Sequence, residues 1–252
     1  MLAIERKKYI QELLKRDKKV IVADLARHFN VTEETIRRDL EKLENEGLAQ
    51  KIYGGAILNE SFNVDLPSLI RRRLNVSDKQ YIASLIAERI QDGDNIMLDS
   101  SSTALFVVKN IKSKKNVTVV TNSTEIICEL SDRTNWKIFA TGGIVKEGSY
   151  AFVGARAIEV IKSFHVDMAI FSCKGIDINF GLTDSNPDDA EIKKAIISSA
   201  KKKILAVDHS KFDRVSLVEI GGLDSVDMVV TDCSPEDKWI SGFEEKHIEL
   251  LY

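Results

Sequence analysis

The sequence predicts two domains: a small, mainly helical N-terminal module that ends in a two-stranded wing, and a larger α/β domain built on a mostly parallel sheet. Three observations lead there. Apolar residues recur at helical spacing in three successive segments before a Gly54-Gly55 turn, and from Ile96 onward short apolar runs alternate with helical stretches. The charge also changes sign along the chain. Met1 to Gly55 carries 12 Lys and Arg against 10 Asp and Glu, net +2, and the remainder carries 24 against 29, net −5, within a total of −3. A basic module on an acidic body suits an anionic partner at one end only.

Composition narrows the class. With 252 residues, 44% hydrophobic and 30% charged, and only 3 prolines, the chain is neither collagen-like nor disordered. Cys128, Cys173 and Cys233 form no Cys-x-x-Cys pair, so neither a disulfide framework nor a zinc knuckle is encoded. No window approaches the roughly 18 apolar residues of a membrane span, and the charged start MLAIERKKYIQELL lacks the apolar stretch of a signal peptide. A cytoplasmic protein without membrane contact is expected.

Taken in order, Tyr9, Ile10, Leu13 and Leu14 make the stripe of a first helix. Val20 to Phe29 repeats it, with Ile21, Leu25, Ala26 and Phe29 facing inward, and stops at Asn30, a residue that accepts the left-handed conformation of a tight turn. Thr32 then caps a third helix, with Glu33 and Glu34 at its positive end. Its inward stripe of Ile36, Leu40 and Leu43 leaves Thr35, Arg37 and Arg38 on or beside the exposed face. Gly47 ends this helix, Leu48 to Tyr53 reads as a strand, and Gly54-Gly55 turns into Ala56-Ile57-Leu58. Three helices and a wing make a DNA-binding arrangement, a winged helix-turn-helix over residues 1–58.

Residues 59–75, with Pro67 and the run Arg71-Arg72-Arg73, read as a linker. Ser77 with Gln80 forms a capping box ahead of the stripe Ile82, Leu85, Ile86 and Ile90, which opens the domain spanning 76–252. Strands are expected at Ile96 to Leu98, Val117 to Val120, Ile138 to Ala140, Met168 to Phe171, Ile204 to Val207 and Met228 to Val230. Ligands of parallel sheets bind beyond the carboxyl ends of strands. There the chain places Asp99-Ser100-Ser101-Ser102-Thr103, Thr121-Asn122-Ser123-Thr124 and Thr141-Gly142-Gly143, loops whose hydroxyls and backbone N–H groups can hold a phosphate. Later strand ends add Lys174 to Asp177, Gly181 to Asp184, Asp189, Lys193 and Asp208 to Phe212, with Lys211 a candidate cation for that phosphate.

The string VADLARHFNVTEETIRRDLEKLENEGLAQKIYGGAI resembles the N-terminal signature of the DeoR-type bacterial transcription regulators. The resemblance continues from about Leu74 to Ile220 through LDSSST, VVTNS, TGG, VGARA, KGID, GLTD and DHSKF, the order of that family's sensor domain. It implies that the helix from Thr32 to Glu44 enters the major groove of operator DNA. Arg37 and Arg38 then meet phosphates or guanine edges, Thr35 a phosphate or thymine methyl, and Lys51 the backbone from the wing, with Thr32 at the helix start. It also implies a second domain related to the aldopentose-phosphate isomerases. There Ser101, Ser102 and Thr103 hold the phosphate of a sugar phosphate, Asn122, Gly142, Gly143 and Lys211 lie nearby, and Asp99, Lys174 and Asp177 face the sugar hydroxyls. Ser101 stands where the family usually has glycine, which sets a side chain at a backbone position expected to favour positive φ. Ser172-Cys173 replaces a small Gly-Ala pair, and Asp189 stands where a glutamate is common.

Rival chemistries fare worse. Asp208-His209-Ser210 is contiguous, whereas a nucleophilic triad converges from separate segments. Thr141-Gly142-Gly143 lacks the third glycine and the later acid of a dinucleotide site. His28, His165, His209 and His247 show no ligand spacing, so no metal and no cofactor is expected. A sugar-phosphate isomerase using Asp99, Asp177 and Lys174 is the alternative in kind, but a DNA-binding module serves no purpose in such an enzyme. The expectation is a repressor, not an enzyme, acting as a homodimer or homotetramer on a carbohydrate operon.

Overall fold

Residues 3–45, 49–58 and 67–252 are described by the computed structural model, and the chain divides into two compact units, Met1–Ser61 and Phe62–Tyr252. In the first, helix α1 (Ala3–Asp17) leads through a short strand β1 (Lys19–Ile21) into α2 (Val22–Phe29) and α3 (Glu33–Asn45), then strands β2 (Ala49–Ile52) and β3 (Gly55–Leu58). Asn30 takes φ 52°, and this left-handed residue turns the chain between α2 and α3. The apolar stripes meet as expected: Ile10, Leu14, Leu25, Ala26, Ile36, Leu40 and Leu43 are all buried in one core. Gly47, the expected helix terminator, and Leu48 lie outside the described residues.

One element differs. The second helix does not start at Val20, because Lys19–Ile21 adds to the wing as a third antiparallel strand in the order β1-β3-β2. Strand alternation then buries Val20 and turns Ile21 outward at 50% exposed, the reverse of the helical reading. Gly55 faces this strand so closely that a Cβ would lie 2.1 Å from the Val20 carbonyl oxygen, which only glycine permits.

The second unit begins, among described residues, with a one-turn helix α4 (Ser68–Arg71) and α5 (Val76–Ala87). There follow β4 (Asn95–Leu98), α6 (Ser102–Asn110), β5 (Thr118–Thr121), α7 (Thr124–Leu130) and β6 (Lys137–Ala140), then a hairpin of β7 (Ile144–Lys146) and β8 (Ala151–Val153). After α8 (Ala155–Lys162) come β9 (Val166–Phe171), β10 (Gly175–Asp177), β11 (Gly181–Asp184), α9 (Pro187–Ser198), β12 (Ala200–Ala206), β13 (Val218–Gly221), β14 (Met228–Val230), α10 (Asp237–Glu245) and β15 (Glu249–Leu251).

Seven strands form one sheet in the order β15-β14-β12-β9-β4-β5-β6, every pair parallel. Alternating residues feed opposite cores. Ile96, Leu98, Val119, Ile170 and Ile204 pack with residues of α5, α6 and α7, and Met97, Val120, Ala169, Phe171 and Leu205 pack with residues of α8, α9 and α10. Burial on both faces explains why these strands read as continuous apolar runs. KGID and GLTD, expected at the ends of later strands, supply β10 and β11 of a separate small antiparallel sheet ordered β10-β11-β13.

The capping box at Ser77 does not form. Helix α5 starts at Val76 behind Asn75, whose φ is 48°, and Ser77 Oγ donates to Asp78. Residues 67–75 are tied into the second unit. The Ser68 amide donates to the Gly148 carbonyl, Ser68 Oγ to Glu125 at 2.5 Å, and Arg72 pairs with Glu125 at 3.0 Å. Among the described residues no helix is long and apolar enough to cross a membrane.

Candidate nucleic-acid interface and effector site

The exposed face of α3 is held from beneath and within. Ile36, Leu40 and Leu43 anchor it to the core, and Arg6 of α1 donates from Nε to Asp39 at 2.5 Å with both side chains under 10% exposed. At the helix start Thr32 Oγ1 accepts the Thr35 amide at 3.3 Å and lies 2.9 Å from the Thr35 hydroxyl. That is the capping role the sequence assigns to Thr32. Arg37 and Arg38 are exposed, at 54% and 73%, each leaning on the glutamate one turn earlier: Arg37 on Glu33 at 2.6 Å and Arg38 on Glu34 at 3.3 Å. Lys51 on β2 donates its amide to Glu44, and its ammonium lies 3.7 Å from the same carboxylate. Sequence reasoning did not single out Tyr53, which stands fully exposed at the wing turn; its signal was an aromatic residue directly before two glycines.

In the second unit the strand-end loops assemble around the carboxyl edge of the parallel sheet. Asp99, after β4, is buried and accepts the amides of Ser101 at 3.0 Å and Ser172 at 3.1 Å, tying the β4 loop to the β9 loop. Burial pushes its carboxyl above the usual range, opposed by the charge of Lys193. Ser101 has φ −72° and caps α6 by accepting the Ala104 amide at 3.1 Å. The position needs no glycine. Ser102 and Thr103 are buried in the first turn of α6.

Asn122, after β5, donates to the Phe152 carbonyl at 3.0 Å, while its buried Oδ1 has no partner among the described residues. Ser123 caps α7 by accepting the Ile126 amide. Gly142 and Gly143 both have positive φ, 63° and 115°, but they differ. A Cβ on Gly142 would meet open space, and one on Gly143 would come within 2.7 Å of the Val153 carbonyl oxygen, so Gly143 has a packing reason of its own.

A charged cluster the sequence did not assign completes the site. Lys193 of α9, its side chain 11% exposed, pairs with the fully buried Asp184 at the end of β11. Lys146 of β7 pairs with Asp189 at 2.6 Å. Burial works against the Lys193 ammonium, but Asp184, Asp99 and Asp189 outweigh it and raise its pKa. Cys173 sits within reach of Lys193, Asp184, Lys211 and Asp99, and burial pushes its thiol up to about 12. The ends of β4, β9 and β11 and the turn after β12 therefore converge. The sequence held Asp184, Asp189 and Lys193 among its strand-end residues, but only the fold brings α9 across them.

Lys211 lies in the short turn His209–Lys211 and acts electrostatically on Asp208 and Cys173; Lys174 acts on Asp184. Asp177 is engaged elsewhere: its Oδ1 accepts the amides of Asn179 and Phe180 and closes the β10–β11 turn. With Asp99 and Asp177 both fixed by backbone amides and Lys193 neutralised by carboxylates, the cluster is built to hold groups in place rather than to move protons.

Residues 6–62 match the DeoR-like helix-turn-helix domain, and residues 74–233 match the DeoR C terminal sensor domain. The HTH-type transcriptional regulator YulB of Bacillus subtilis (strain 168) is 36% identical over 250 residues, covering 99% of this chain and 96% of that protein. The glycerol-3-phosphate regulon repressor of Escherichia coli (strain K12) is 31% identical over 250 residues, covering 99% of each. Among solved structures, ribose 5 phosphate isomerase A from Neisseria gonorrhoeae aligns with TM-score 0.39 and 16% identity over 55% of this chain and 53% of that one. With both domains matched and such relatives aligned along nearly its whole length, the chain belongs to the DeoR family of transcriptional regulators.

Proposed function

We propose that this regulator is a cytoplasmic repressor of a carbohydrate operon, and that a phosphorylated sugar bound at the strand ends of the second unit alters its hold on operator DNA. Arg37, Arg38, Thr35 and Lys51, with Thr32 at the helix start, make the DNA contacts. Ser101, Ser102, Thr103, Gly142 and Gly143 frame the phosphate, Lys211 balances its charge, and Asn122, Asp99 and Lys174 serve the sugar hydroxyls. Asp177 shapes the rim through its turn.

The observation that carries the sugar is Asn122 Oδ1, a buried acceptor without a partner among the described residues. Such an atom costs about 1–3 kcal/mol until a donor reaches it, and a ligand hydroxyl is one. The relative named for a glycerol-3-phosphate regulon supports a small phosphorylated polyol or sugar as the ligand class. Effector control requires different ligand affinity in the DNA-competent and DNA-incompetent states. Paired recognition helices reading a repeated operator favour a homodimer or homotetramer.

A gel-shift assay on the promoter beside the protein's own gene, titrated with a panel of sugar phosphates, tests this. Retardation that one sugar phosphate changes, and its unphosphorylated form does not, is expected. No retardation at low salt would sink the DNA-binding assignment, and indifference to the whole panel would sink the effector.

A further inference from the structure

The strands β12 and β14 pair in parallel with Ala206 opposite Val230, so the loops that follow them run side by side. Along the chain His209 and Asp232 are 23 residues apart, yet His209 Nδ1 lies 2.7 Å from Asp232 Oδ2. The thiol of Cys233 joins them: imidazole nitrogen, carboxylate oxygen and sulfur all lie within 4.8 Å of one another. A cavity of about 280 Å³ opens beside this trio and is lined by His209, Cys233 and Trp239.

We propose that His209, Asp232 and Cys233 form a binding site for a borderline-soft divalent transition metal ion of the zinc type. At metal–nitrogen and metal–oxygen distances of about 2.1 Å and a metal–sulfur distance of about 2.3 Å, tetrahedral ligands sit roughly 3.5 Å apart, so the 2.7 Å His209–Asp232 pair has to part slightly, and all three atoms already lie within 4.8 Å of one another. An imidazole and a thiolate select such an ion over magnesium or calcium, which take oxygen ligands. Three protein ligands leave one position open toward the cavity.

Two features fit an ion there. The indole Nε1 of Trp239, a residue 1% exposed that lines the same cavity, is a buried donor without an acceptor among the described residues. A hydroxide or anion in the metal's open position is an acceptor of the kind this donor lacks. The second is Asp232 itself. Its Oδ1 accepts the His209 amide at 2.6 Å, which fixes the carboxylate and leaves Oδ2 as the ligand atom. Coordination replaces the Nδ1–Oδ2 hydrogen bond: the Nδ1 proton leaves so that the imidazole is neutral with its remaining proton on Nε2, and the thiol proton leaves to solvent as the thiolate forms.

The site is independent of the sugar-phosphate reading, and its test needs neither DNA nor effector. The untagged, reduced, metal-free full chain is titrated with Co²⁺ and followed for the near-ultraviolet thiolate-to-cobalt absorption. A band that saturates at one equivalent and is displaced by one equivalent of Zn²⁺ is expected. Cys233→Ser should abolish the band, His209→Gln should weaken binding by at least the roughly tenfold that loss of an outer-shell partner causes, and Cys128→Ser should change neither. Far-ultraviolet circular dichroism of each variant checks that it has folded. No saturable band in the parent chain, or a band that survives Cys233→Ser, overturns the proposal.

Discussion

Arg6 in α1 and Asp39 in α3 meet inside the first unit at 2.5 Å, a buried ion pair that joins the first helix to the proposed recognition helix. Removing one partner of such a pair strands the other charge away from water. Arg6→Met should cost about 3–5 kcal/mol of first-unit stability, and Arg6→Met with Asp39→Leu should recover most of it. Hydrogen exchange of the α1 to α3 amides reads this directly. A single variant within about 0.5 kcal/mol of the parent would mean the pair contributes nothing.

Arg37 and Arg38 are held by surface pairs worth under about 1 kcal/mol each, so DNA phosphates can displace Glu33 and Glu34 at little cost. Changing both arginines to Ala should weaken operator binding and lower the salt slope by about one unit for each phosphate no longer bound. Glu33→Gln with Glu34→Gln should do the opposite, tightening binding at low salt. Operator affinity measured across a salt series separates the outcomes, and no change in either variant would take α3 out of the interface.

Lys193 neutralises the buried Asp184 through a direct ion pair. Lys193→Met should destabilise the second unit by about 3–5 kcal/mol through the carboxylate it strands. The pH dependence has a definite sign. Burial alone would raise the Asp184 pKa, but the Lys193 charge overrides it and holds the group below its ordinary 3.8. Its contribution is therefore present above that value and lost as pH falls through the lowered one. Acid unfolding should begin at higher pH in Lys193→Met than in the parent, and coincident acid transitions would show that the pair does not set acid stability.

At Lys79 burial wins. It is buried and donates to the carbonyls of Arg71 and Leu74 at 2.7 Å each, and burial lowers its pKa from 10.5 to about 8. The native state releases this proton before the unfolded chain does. Stability from this group accordingly rises between about pH 8 and 10.5, by roughly 3 kcal/mol at full extent. Lys79→Met should flatten that rise in urea unfolding of the second unit, and an unchanged slope would show that the lysine does not titrate there.

Local chemistry was legible wherever one element decides it. The stripe Ile36-Leu40-Leu43, the Asn30 turn and the Thr32 cap needed only spacing and residue type, as did the apolar runs of a sheet buried on both faces. Pairing between distant segments was not. Val20 and Ile21 read equally well as helix until β3 offers them a hydrogen-bonding edge. GLTD reads as the end of a main-sheet strand until Gly175 to Asp177 lies beside it in a sheet of its own. Lys193 stays anonymous in a charged helix until α9 crosses Asp184. The backbone at Ser101 was expected to favour positive φ, but a side-chain cap on α6 holds it at −72°, a choice made by the three residues after it.

The strand order of the large sheet also sets a timetable for synthesis. Strand β4 emerges early but lies in the interior, between β5 and β9, and β9 in turn needs β12, so the sheet cannot be assembled in the order it is made. The contacts of the first unit, by contrast, close over short stretches at the start of the chain. Local contacts form faster than distant ones, and domains fold as units during translation. On the ribosome the helical module can therefore close its core while the second unit is still an open set of strands, so α3 is in place before the strand-end loops have anything to converge on.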